Sequence, residues 1–145
     1  MIFMTVMAMR VKSGGLLLSS PCCKTWLWIS RYTMGRHHAW FGDETRPDVA
    51  AANDTALFLA FLYNLLNDRN VYHVHEQPLR SSQPLCPGLA ETFKSIGSER
   101  VVTWMGAFGC EIPKPTVLMS NLPQDADALM KAKKPPTDRL MNPAN

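Results

Sequence analysis

Apolar positions change their spacing several times along the chain, and each change marks an element. Residues 2–9 are almost continuously apolar, and Ser13-Gly14 supplies a stop, which predicts a helix over 2–11. Leu16-Leu17-Leu18 is a short apolar run between a glycine pair and Pro21. That pattern predicts a buried strand over 16–19, suited to the middle of a parallel sheet. Over 49–66 apolar residues occupy most of the helical circumference, predicting a helix packed on more than one side, with Asp48 as its N-cap after Pro47. Asn67-Asp68-Arg69-Asn70 is turn chemistry, and 71–76 reads as a second strand. Gln77-Pro78 ends it, because proline has no N–H to give a ladder. Pro87 and Gly97 frame a short helix with Leu89, Phe93 and Ile96 on one face. A third strand over 100–105, a loop over 106–115 and a fourth strand over 116–120 complete the pattern.

Helix, strand, helix, strand, helix, strand, strand is the alternation of an α/β domain. Right-handed crossovers then give a parallel sheet of about four strands covered on both faces. The last two strands have no helix between them and are expected to pair antiparallel. The domain extends over 1–123. Beyond Pro123 the chain is polar, with Lys131, Lys133, Lys134, Pro135 and Pro136, so 124–145 is expected to be a loosely ordered or disordered tail. The segment 20–47 has no regular pattern. Its Trp26, Trp28, Tyr32, Trp40 and Phe41 argue for an ordered, functional loop.

Composition adds limits. At 145 residues, 46% hydrophobic and 19% charged, one ordinary globular domain is expected. A net charge of +3 is compatible with nucleic-acid binding without establishing it. Four cysteines with no Cys-x-x-Cys spacing predict reduced thiols, hence an intracellular protein, nuclear or cytoplasmic and not secreted. The apolar N-terminus has no preceding positive charge and does not read as a signal peptide. The longest unbroken apolar run, 56–63, is far short of the roughly 20 residues that span a bilayer, so no membrane is expected as a partner. Asn53-Asp54-Thr55 matches a glycosylation acceptor but falls inside a predicted helix. His73 and His75 share a strand face, yet together with His37-His38 they show no ligand spacing, and no metal is expected.

In a parallel sheet the loops after the carboxyl ends of the strands share one crevice. Pro21-Cys22 follows the first strand, Glu76-Gln77-Pro78 the second and Gly106 to Pro115 the third. A thiol and a carboxylate distant in sequence can therefore meet at one edge.

That order resembles the catalytic half of the cytosine-C5 DNA methyltransferases, with Pro-Cys after one strand, Glu-Asn-Val after the next, and a Gly-x-Pro-Gln-x-Arg loop after a third. A nearer resemblance is to uncharacterised methyltransferase-like proteins linked to phage and mobile elements. Those carry Pro-Cys, then Glu-Asn-Pro or Glu-Gln-Pro, then Phe-Gly-x-x-x-x-Lys-(Pro or Ala)-Thr, matched here by Pro21-Cys22, Glu76-Gln77-Pro78 and Phe108-Gly109 through Lys114-Pro115-Thr116. The likeness extends over roughly 14–123. It implies a partial Rossmann-like methyltransferase sheet whose last strand is antiparallel, S-adenosylmethionine as cofactor and DNA as partner. It implies Cys22 as the nucleophile that adds to cytosine C6, and Glu76 as the group holding the N3 and N4 edge. Pro21, Gln77, Pro78, Gly109, Lys114 and Arg36 would then line the substrate. The family's Phe-x-Gly-x-Gly cofactor loop and target-recognition domain have no match. The resemblance thus implies an incomplete enzyme, with a second chain completing the sheet. The alternative is a non-catalytic nucleic-acid- or protein-interaction module on the same fold.

Overall fold

A computed structural model describes residues 2–108, 110–112 and 114–123. Gly109 and the tail expected over 124–145 lie outside the described residues. The chain is a mixed α/β fold: helix α1 (Ile2–Met9), strand β1 (Leu16–Ser19), helix α2 (Pro47–Asp68), strand β2 (Tyr72–Pro78), helix α3 (Leu89–Ser95), strand β3 (Glu99–Trp104) and strand β4 (Pro115–Ser120). The four strands form one mixed sheet in the order β1-β2-β4-β3. β1 and β2 are parallel, and β4 is antiparallel to both β2 and β3. The last strand therefore does pair antiparallel with its predecessor, but it also inserts between β2 and β3. β1, β2 and β3 all point the same way, and their carboxyl ends share one edge.

Helix α2 begins two residues earlier than the Asp48 cap predicted. Arg46 is the extended N-cap (φ −85°, ψ 122°), and Pro47 takes the first helical position. The residue before a proline is driven out of the helical region, while proline itself suits that first turn. Asp48 instead lies within the turn, pairing with Arg46 at 3.3 Å and accepting from the Val49 amide. At the other end Asn70 adopts φ 55°, the left-handed conformation asparagine tolerates, and turns the chain into β2. β2 runs two residues further than predicted, because Gln77 and Pro78 still pair with Val117 and Thr116 of β4.

The helices share one face of the sheet. Tyr63 of α2 stacks on His73 with ring centroids 4.5 Å apart, and Phe93 of α3 lies 5.9 Å from the same ring. Ala8 of α1 joins the cluster of Leu59, Leu62, Tyr63, Leu66, Val71, Leu89 and Phe93. Two crossovers of one hand stepping in one direction leave their helices on the same side, which replaces the expectation of helices on both faces. β1 also departs from expectation. It is an edge strand, since no described residue pairs with its outer side, and Leu16 and Leu18, 50% and 69% exposed, alternate with Leu17 and so point to the sheet face away from the helices. By length and composition α2, with mean hydropathy 1.4, is apolar enough to cross a membrane, which qualifies the expectation drawn from run length. In this fold Val49, Asn53, Ala56, Leu59, Ala60, Leu62, Tyr63 and Leu66 bury it against the domain.

Candidate functional site

Hydrogen bonds between the ends of β1 and β2 build a corner. Ser20 Oγ donates to Glu76 Oε2 at 2.6 Å, and Gln77 Nε2 donates to the Pro21 carbonyl at 2.8 Å. Gln77 is fully buried, and its own carbonyl accepts from Ser81 Oγ at 2.7 Å, so the amide cannot rotate without losing a bond at each end. Cys22 is one covalent link beyond the Pro21 carbonyl, and its thiol side chain is exposed. Lys114 reaches the corner from the start of β4, where Nζ lies 3.2 Å from Glu76 Oε1. Its backbone carbonyl accepts from the Met105 amide, tying it to the end of β3. Pro78, on the last rung of β2, accepts through its carbonyl from the Ser81 amide at 2.8 Å. The structure therefore gathers Pro21, Cys22, Glu76, Gln77, Pro78 and Lys114 at one edge. Both oxygens of Glu76 carry a donor there.

Arg36 has a different place. It is buried, with Nε donating to the Thr25 carbonyl at 2.8 Å and Nη1 to the Trp40 carbonyl at 2.5 Å. Nη2 donates to Thr25 Oγ1 and to Asn53 Oδ1, and the guanidinium carbon sits 3.4 Å over the Trp26 ring. Burial lowers its pKa, opposed by the charges of Cys86 and Glu44. Arg36 is thus a scaffold residue, which corrects its expected role as a substrate contact: four donor contacts are spent inside the protein. It is also why 20–47 is ordered. Asn53, the residue of the glycosylation-like triplet, is buried and gives its amide to the Phe41 carbonyl and Glu44. The Trp28 amide donates to the Arg80 carbonyl, and the Ser82 amide to that of Trp26, stitching the segment to residues 79–85.

His73 and His75 point into the helical layer. His73 Nε2 lies 3.0 Å from Ser98 Oγ, and His75 Nδ1 lies 2.8 Å from the Tyr63 hydroxyl, which also contacts Ser19 Oγ. Burial pushes their pKa values down, to about 4 for His73 and about 3 for His75, where His73 adds to the effect. Both rings are neutral structural groups at ordinary pH. Among the described residues no three His, Cys, Asp or Glu side chains are grouped to hold a metal.

Sequence reasoning missed Ser20 and Ser81, the hydroxyls that fix Glu76 and Gln77. Ser20 had only its place beside Pro21 to mark it, and Ser81 had no mark. Compared with family models, curated proteins and solved structures, the chain matches none of them.

Proposed function

We propose that the chain is a divergent or degenerate S-adenosylmethionine-dependent DNA cytosine-C5 methyltransferase-like protein, incomplete on its own. The observation that carries this reading is the pair of bonds Ser20–Glu76 and Gln77–Pro21, which sets a Pro-Cys turn against a Glu-Gln-Pro strand end. In the proposed reaction the Cys22 thiolate adds to C6 of an unstacked cytosine, forming a C–S bond and moving the ring electron pair toward C5. Glu76 holds the N3 and N4 edge as charge develops there. Lys114, released from Glu76 by the base, contacts phosphate or the base carbonyl.

The residues present do not fit the cofactor. The chain's glycine pair, Gly14-Gly15, precedes β1 and so lies at the opposite end of the sheet from Cys22. A side chain at Gly15 would meet Val11 and Lys12 of the chain's own turn, so this glycine serves local packing. No methyl-transfer step is assigned to this chain. A second chain would bring the cofactor half and cover the exposed edge of β1, in a reducing nuclear or cytoplasmic compartment.

Thiolate addition has a signature that needs no cofactor. Once C6 carries sulfur, C5 takes a proton from solvent, and elimination returns cytosine with its C5 hydrogen exchanged. In D2O, a single-stranded cytosine oligonucleotide incubated with the protein is expected to gain deuterium at C5, and Cys22→Ser is expected to abolish the gain. Exchange no faster than with Cys22→Ser would sink the catalytic reading. The second reading, a non-catalytic interaction module, is favoured by the occupation of both Glu76 oxygens. Oligonucleotide binding without exchange would select it.

A further inference from the structure

A cavity of about 810 Å³ opens between the 28–40 segment and residues 79–85. Its size is that of a small-molecule or nucleotide pocket. Trp28 and Trp40, 59% and 46% exposed, line it together with Arg31, Arg80, His37 and His38. Arg36 forms part of the wall with its donors already committed. No acidic side chain is among the described lining residues. Among the described residues neither Arg31 nor Arg80 has a side-chain hydrogen bond or ion pair, whereas Arg46 and Lys114 each have a carboxylate. Nδ1 of His37 is buried without a hydrogen-bond partner, and its ring lies between those of Tyr32 and His38, at 4.7 and 3.8 Å.

From this we infer that the cavity binds a nucleotide, a planar heteroaromatic ring carrying a phosphate. Two half-exposed indoles give a base faces to stack on. Two guanidiniums without a carboxylate partner line one cavity, and a phosphate there accepts charge-assisted bonds from them. This inference is independent of the chemistry at Cys22, which does not line the cavity.

The test is titration of the full chain with adenosine monophosphate, with adenosine and inorganic phosphate as controls, read by tryptophan emission. Saturable quenching is expected, with affinity about tenfold above either control and falling as salt rises. Arg31→Glu and Arg80→Glu are each expected to weaken binding about tenfold or more with unchanged far-ultraviolet circular dichroism. Trp28→Leu should remove most of the quenching. If either charge reversal disturbs the fold, Arg31→Gln and Arg80→Gln replace them. A single-stranded 12-mer binding far more tightly per site than the mononucleotide identifies the ligand as a nucleotide within a strand. Equal affinities identify a free nucleotide. Absence of saturable quenching by both, or binding unmoved by the arginine variants, overturns the assignment.

Discussion

Arg36 and Glu76 each draw together segments far apart in the chain, and they do so in opposite surroundings. Arg36 is buried and spends its donors on two backbone carbonyls, Thr25 Oγ1 and Asn53, with an indole beneath it. Glu76 stands near the end of β2 with its side chain 16% exposed, held by a serine and by a lysine that is itself 45% exposed. A buried charge with committed partners cannot leave them without stranding several acceptors. An exposed pair exchanges its partners for water or ligand at little cost. The difference separates a scaffold from a place where chemistry can happen, although both residues look alike as polar positions in an apolar sequence.

The largest effect is expected from removing the guanidinium. Arg36→Met keeps the stem but leaves the Thr25 and Trp40 carbonyls and Asn53 without their donor. It is expected to destabilise the protein by about 3 kcal/mol or more, measured by urea denaturation. A loss under about 1 kcal/mol would move Arg36 out of the scaffold.

Acid probes the interior next. His73 and His75 fold as neutral rings, whereas in the unfolded chain they take up protons near pH 6.5. Below that pH the unfolded state binds more protons than the folded one. Stability is therefore full above about pH 6.5 and falls as the pH drops toward the folded value of about 4. For His73 alone the loss approaches about 3 kcal/mol across that window. Denaturation midpoints at pH 7, 5.5 and 4.5 should trace it, and His73→Gln should flatten the slope. A midpoint constant from pH 7 to 4.5 would mean that the rings are not held neutral.

The interior was the more legible of the two regions. Among the described residues, spacing located the seven α-helices and strands within about two residues, because burial imposes period on the sequence. It could not say what each element is buried against. Leu16-Leu17-Leu18 is apolar enough for a central strand, yet it lies at an edge, since a run of leucines records a need for cover and not who supplies it. The insertion of β4 between β2 and β3 was likewise hidden, because it depends on how far the α3 crossover carries β3. That insertion is what brings Lys114 to Glu76: the Pro78–Thr116 rung sets the two strands in register across 38 positions. The inward turn of Arg36 is equally hidden, because a basic residue amid aromatics looks the same in sequence whether its donors face inward or outward.

The smallest effect is expected at Lys114. Lys114→Ala removes the ion pair at the corner, and Glu76 keeps Ser20 and gains water. The expected change in stability is under about 0.5 kcal/mol, as for other solvent-screened pairs. Measured beside Arg36→Met under the same conditions, the two variants should differ severalfold, although each deletes one cation from a polar cluster. If the corner serves base recognition, the same Lys114 substitution should still slow cytosine C5 exchange while leaving the denaturation midpoint in place. A loss of stability above about 1.5 kcal/mol would instead mean that Lys114 clamps the ends of β2 and β4 as structure. Glu76 would then belong with Arg36 in the scaffold, and the strand-end edge would have no charge free to act on a ligand.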